Sequence, residues 1–174
     1  MYKNKGFGVK ERIKSFFWLF FFLLVLWLLL TSTFNSQEFL LGVFVCALIA
    51  VITHRFYIKL GFPSVSPKKF YFSLVYILVL FYEIIKANLD VALRVIRPSL
   101  PINPGVVIIK TSLKSDIAKT ILANSITLTP GTFTLDIQGD KLLIHWIDVE
   151  ATDIDAATNI IGERFEKYLR IIFQ

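Results

Sequence analysis

One cysteine, Cys46, serves a chain of 174 residues. No intrachain disulfide can form, and no cysteine-based metal site either. Cys46 lies in an apolar run and reads as a small core or lipid-facing residue. The chain also lacks a Gly-rich phosphate loop, a nucleophile elbow and a Cys/His nucleophile pair, so no catalytic centre, bound cofactor or metal is expected. Basic charge is scarce beyond Arg97, and from Pro98 to the end the balance is roughly −2. That excludes a nucleic-acid surface, which needs a basic face on the folded domain.

What is abundant is apolar surface. The chain is 55% hydrophobic and 15% aromatic, with 17 Phe, which is too apolar for an ordinary soluble domain and puts membrane class first. The formal net charge of +6 is concentrated at two places. One is residues 1–14, where Lys3, Lys5, Lys10, Arg12 and Lys14 outweigh Glu11. The other is residues 54–69, with Arg55, Lys59, Lys68 and Lys69 and no acid.

Phe16 to Leu30 is an unbroken apolar run. Thr31, Ser32, Thr33 and Phe34 extend it, because short hydroxyl side chains bond back to their own helix, giving roughly 18–20 residues, enough to cross a bilayer. Trp18 and Trp27 sit near its ends, as interfacial indoles do. A cleaved signal peptide is disfavoured by the length of the run, the missing small-residue site and the second apolar segment that follows at once. That segment runs from about Phe39 to Thr53, with Phe56, Tyr57 and Ile58 able to lengthen it while Arg55 snorkels. The connection Ser32–Glu38 carries no Lys or Arg, so the positive-inside rule puts the basic flanks in the cytoplasm.

A third segment is ambiguous. Phe70 to Tyr82 is apolar, then Glu83, Lys86, Asp90 and Arg94 follow on one helical face, able to pair in succession. It is either a third span whose charged stripe faces a partner or a helix that enters the cytoplasmic leaflet and lies along the surface. An ion or proton path along the stripe is the further reading that charge in a membrane helix raises.

Arg97 to Gly105 holds Pro98, Pro101 and Pro104, so no helix crosses it. Val106–Lys110 reads as a strand and Asp116 as the start of a helix capped by Ser115, with Ile117, Ile121 and Leu122 buried. Asn124 to Thr132 is a polar-apolar alternation of strand type running into Thr129-Pro130-Gly131-Thr132, a type II turn by its Pro and Gly positions. Phe133–Ile137 and Leu142–Val149 form a hairpin about Gly139. Thr152 or Asp153 starts a last helix with Ile154, Ala157, Ile161, Phe165, Tyr168 and Ile172 inward, and the pairs Glu163–Lys167 and Glu166–Arg170 on the wet side. The expected fold is therefore an α-helical membrane part, two spans plus a membrane-embedded or interfacial helix, over residues 1–97 (helices about 15–34, 37–56 and 68–97). A Pro-rich linker, 98–105, leads to a small βαββα α+β domain, 106–174, with helices on one face of a mostly antiparallel sheet.

Two residue sets bear on chemistry. Asp136, His145 and Asp148 supply ligand and proton-carrier types, but their spacing fits no metal signature, and a hydrogen-bonded structural role for His145 is favoured. Thr127, Thr129, Thr132 and Thr134 read as the solvent side of a strand, with anion binding near the turn as the alternative.

The stretch Asn124-Ser125-Ile126-Thr127-Leu128-Thr129-Pro130-Gly131-Thr132, with Leu135-Asp136 and His145-Trp146-Ile147-Asp148, resembles the hallmark of the E subunit of multisubunit Mrp-type (also called Mnh or Pha) cation/proton antiporters of bacteria. The resemblance covers nearly the whole chain. It implies a multi-pass protein of the bacterial inner membrane, N-terminus and C-terminal domain cytoplasmic, in a complex exchanging Na+ or K+ for H+. It further implies an accessory role in assembly and full activity, with the main ion path in other subunits. Its partners would be those subunits and the lipid bilayer, and the motif would form a docking surface. The competing readings are a self-sufficient small transporter or channel lined by the charged stripe, and a membrane-anchored enzyme using Asp136, His145 and Asp148.

Overall fold

The first apolar run folds as α1, Val9–Thr31, and the second as α2, Ser36–Lys59. Both are described by a computed structural model that covers residues 9–32, 35–59 and 66–174. Lys3, Lys5, Thr33, Phe34 and residues 60–65 lie outside the described residues, as do the side chains of Lys10, Arg12 and Arg55. The chain divides into two compact units between Val65 and Ser66.

In the first unit the two helices form a hairpin. Thr31 and Ser32 do bond back, to the carbonyls of Trp27 at 3.0 Å and Leu29 at 3.3 Å. Gly42, Cys46 and Ala50 recur every fourth residue of α2 and are buried, a stripe of small side chains that lets backbones approach. Cys46 is thus a core residue. Trp27 packs against α2 within the hairpin: a Cβ on Gly42 would lie 2.5 Å from its ring.

The second unit begins with α3, Pro67–Ile96, capped by the Ser66 hydroxyl, which accepts from Lys69 N–H at 3.2 Å. The expected βαββα order follows: β1 (Gly105–Lys110), α4 (Asp116–Leu128), β2 (Thr132–Gln138), β3 (Lys141–Trp146), then α5 (Ile154–Ala157) and α6 (Glu163–Phe173). By length and composition α1, α2 and α3 each contain a stretch long and apolar enough to cross a membrane. The strand order is β1-β3-β2, all antiparallel. Val107, Ile109, Leu142, Ile144 and Trp146 face the helices, and Leu122, Ile126, Ile161, Phe165 and Leu169 close the core from the other side. The opposite sheet face is open, with Val106, Ile108, Phe133 and His145 exposed on it. His145 is therefore on the wet side of the sheet, not tied into it.

The stretch before β1 is zipped to the end of β3. Asn103 donates to the Ile147 carbonyl at 3.1 Å and accepts from Val149 N–H at 2.9 Å. Asp153 caps α5 by accepting from the Asp155 and Ala156 amides.

The last helix departs from a uniform period. Thr158–Gly162 is a π turn between α5 and α6. A π turn holds one more residue than an α turn, so the buried face beyond it is offset from a period of about 3.6. Leu169 joins the core while Tyr168 is only partly buried. Glu166, expected on the wet side, is 3% exposed and accepts from Ser112 N–H at 2.7 Å and Ser112 Oγ at 2.6 Å. Arg170 pairs with Glu163 instead.

A candidate docking cleft built from α3 and the Pro-Gly turn

Asn124 to Leu128 is not a strand. It is the final turns of α4, in which the spacing Leu122–Ile126 keeps one face in the core. The threonines are not a solvent ladder either; they staple that helix end. Thr127 Oγ1 donates to the Ala123 carbonyl at 2.9 Å and accepts from Thr134 N–H at 3.2 Å, and Thr134 Oγ1 donates to the same carbonyl at 3.1 Å. Thr129 and Thr132 each donate through Oγ1 to the Ile126 carbonyl at 2.7 Å, which also accepts from the Thr129 N–H at 3.3 Å, so this acceptor at the helix C-terminus is well satisfied. Short hydroxyls bonded to their own backbone hide the helical period from a pattern reading.

Held this way, Thr129-Pro130-Gly131-Thr132 makes the expected type II turn. Thr132 N–H reaches the Thr129 carbonyl at 3.3 Å, and Gly131 has φ +94°. The Gly131 carbonyl accepts from Ile147 N–H at 2.8 Å, which locks the turn to the end of β3. A Cβ on Gly131 would lie 3.1 Å from Ile147 and 3.8 Å from Val91 of α3. The turn thus sits against α3.

The turn and the charged stripe of α3 enclose one cleft of about 510 Å³. Glu83, Lys86, Asp90 and Arg94 form one wall, and Pro130, Gly131, Thr132, Asp148 and Arg164 lie opposite. The stripe does not pair in succession along α3. Only Asp90 and Arg94 pair within it, at 2.7 Å. Glu83 takes Arg164 of α6 at 2.9 Å. Arg94 also takes Asp148 at 2.5 Å and the Pro101 carbonyl at 3.0 Å. Lys86 and Glu150 remain exposed at the cleft. Below it, Tyr76 of α3 is buried and its hydroxyl bonds Ser125 of α4.

The stripe residues Glu83, Lys86, Asp90 and Arg94 and the motif residues Pro130, Gly131, Thr132 and Asp148 thus line one cleft, together with Arg164, which the sequence did not single out. Asn124, Asp136 and His145 lie elsewhere. Asn124 and Asp136 line a shallow groove between α4 and β2, and both Asp136 oxygens are engaged, with Ile137 N–H and Gln138 Nε2, each at 2.7 Å. Asp136, His145 and Asp148 are not brought together, and among the described residues no group of three or more His, Cys, Asp or Glu is placed to hold a metal.

The Glu83–Arg164 pair is partly buried on both sides and makes a direct test of the α3 contact. Arg164→Glu should lower stability by about 1–3 kcal/mol, and adding Glu83→Arg should recover most of it, as a double-mutant cycle on a close pair reads. Denaturation midpoints of the detergent-solubilised chain check this; a swap that recovers nothing would show that the pair does not hold α3.

Three comparisons bear on what such a chain is. A family profile described as Na+/H+ ion antiporter subunit matches residues 20–172. The E1 subunit of the Na(+)/H(+) antiporter of Staphylococcus aureus (strain bovine RF122 / ET3-1) is 33% identical over 157 residues, covering 86% of this chain and 92% of that protein. Among solved structures, a chain of the membrane-bound sulfane sulfur reductase, an archaeal respiratory membrane complex, is similar with a TM-score of 0.80 and 43% identity, covering 92% of this chain and 99% of that one. A chain of the Mrp complex from Dietzia sp. DQ12-45-1b aligns with a TM-score of 0.42 and 27% identity over 58% of this chain and 96% of that one.

Proposed function

Since the chain belongs to the Na+/H+ ion antiporter subunit family, we propose that it is an accessory subunit of a multisubunit cation/proton antiport complex, supporting assembly and full activity while other subunits carry the main ion path. One observation carries this reading. Three of the four stripe charges are tied to groups of the same chain by Glu83–Arg164, Asp90–Arg94 and Arg94–Asp148. Guanidinium groups locked to carboxylates are poor proton carriers but good latches, since the fork geometry fixes both partners. The cleft then holds α3 and the Pro-Gly turn in one fixed arrangement, and its exposed Lys86 and Glu150 are free to meet a neighbouring subunit.

The likeness to a chain of an archaeal respiratory complex favours a second reading of the host, in which the same accessory role is played inside a respiratory assembly. The enzyme reading loses its geometric basis, because Asp136, His145 and Asp148 are scattered.

The test is to tag the C-terminus, extract native membranes in mild detergent and identify what co-migrates on a native gel. Antiporter-type subunits alone support the first host, and added redox subunits with flavin or iron–sulfur absorbance support the second. A monomer or homo-oligomer that persists across gentle detergents would overturn the accessory reading.

A further inference from the structure

The sheet has one uncovered face, and the strand register fixes what stands on it. Side chains alternate along each strand, so the open face carries three rows. Val106, His145 and Phe133 make the first, Ile108, Leu143 and Asp136 the second, and Lys110, Lys141 and Gln138 the third. Leu135, the extra residue at the bulge between Thr134 and Asp136, is exposed beside the second row. Val106, Ile108, Phe133 and Leu135 are between 39% and 54% exposed, while α4, α5 and α6 give their buried side chains to the other face. The unit is thus one layer short, with an apolar patch where the missing layer would pack.

The third row says what that layer carries. Lys110 and Lys141 are register partners, so two like charges stand side by side, an arrangement that costs stability. Both are exposed, and neither forms an ion pair among the described residues. An acid from outside would offset this repulsion. A second copy of the face cannot supply it: two-fold stacking sets the lysine row against either the other lysine row or the row of Val106, His145 and Phe133. An anionic bilayer is opposed by the Asp136 carboxylate in the second row. An added strand is opposed by the edges. Lys110 N–H is taken by Thr158 Oγ1 at 3.0 Å, Thr134 N–H by Thr127 Oγ1 at 3.2 Å and Ile137 N–H by Asp136 at 2.7 Å, and the bulge further blunts β2.

We propose that this face receives an amphipathic helix of a neighbouring subunit, its apolar side on Val106, Ile108, Leu143 and Phe133 and an Asp or Glu near one end over Lys110 and Lys141. Val106 to Lys110 spans about 13 Å at about 3.3 Å per residue, which roughly nine residues of helix match. This second docking surface rests on the accessory-subunit reading and is separate from the cleft at α3.

The tagged full chain, with p-benzoylphenylalanine placed in turn at Ile108, Phe133 and, as a reference, the exposed Lys167 of α6, is irradiated in native membranes. Cross-linked peptides are sequenced from the native-gel complex. Ile108 and Phe133 should reach one segment of another subunit, with apolar residues at spacings of three and four and an acid near one end; Lys167 should not reach it. Cross-links to a second copy, to lipid or to nothing, in a chain that still co-migrates with other subunits, would overturn the helix and leave the accessory reading standing. A chain that runs alone in every gentle detergent would remove both. Lys141→Glu is the second measurement. Within the chain it replaces repulsion from Lys110 by attraction, so the thermal midpoint of the detergent-solubilised chain should hold or rise. Recovery in the complex should nevertheless fall several-fold, and reversing the acid of the cross-linked segment to Lys should restore it. Undiminished recovery of Lys141→Glu would overturn the acidic partner.

Discussion

Gly131→Val should leave the chain in the membrane but sharply reduce its recovery in the assembled complex. Two costs add at this position. A β-branched residue is strained at φ +94°, by roughly 1–3 kcal/mol. Its Cβ would also lie 3.1 Å from Ile147 Cγ2, at the strand end whose amide the Gly131 carbonyl holds. The turn cannot relax toward α3, because Val91 stands 3.8 Å away on that side. The shift would reach Asp148, one residue beyond Ile147, and so the Arg94 latch. Gly139→Ala is the control: it too has a positive φ, +65°, but a Cβ there meets nothing within 4 Å. Quantifying the tagged chain in total membranes and in the native-gel complex separates insertion from assembly. Equal complex recovery in Gly131→Val and wild type would remove the turn from any docking role.

Glu166→Ala should destabilise the second unit by about 2–4 kcal/mol, since hydrogen bonds to charged groups contribute roughly 1.5–3 kcal/mol each and the Ser112 N–H and hydroxyl would lose their acceptor. For a domain of this size that lowers the melting midpoint by roughly 10 °C or more. Glu166→Gln keeps an acceptor oxygen and should cost less than half as much. Thermal unfolding in detergent, followed by circular dichroism, measures both. The effect separates the observed placement from the pattern reading, because a solvent-side Glu166 would change stability by no more than about 0.5 kcal/mol. A shift that small would mean that the loop 111–113 does not depend on this carboxylate.

Glu166 also shows where pattern reading stops. The uniform apolar period from Ile154 to Ile172 predicted a helix, and a helix is there. The π turn at Thr158–Gly162 then offset the face and turned a wet Glu inward. The strand reading of Asn124–Leu128 failed for a related reason. Ser125 and Thr127 donate to carbonyls four residues back, so polar positions that suggested the open side of a strand are spent inside a helix. The Pro-Gly turn and the β2–β3 hairpin were legible because their cause is local: a positive φ that glycine tolerates, at Gly131 and Gly139.

From the sequence alone came the membrane class, the two apolar helices of the hairpin, the order of the elements in the second unit and the residues of the Pro-Gly turn. Each rests on composition, periodicity or a backbone angle within a few residues. The tertiary structure alone decided where the stripe charges go and which carboxylate is buried. The pairs involved are 81 residues apart for Glu83–Arg164, 54 for Arg94–Asp148 and 54 for Ser112–Glu166. A charge on a helix has the same local signature whether it meets solvent, a neighbouring subunit or its own distant chain, and only packing selects among them.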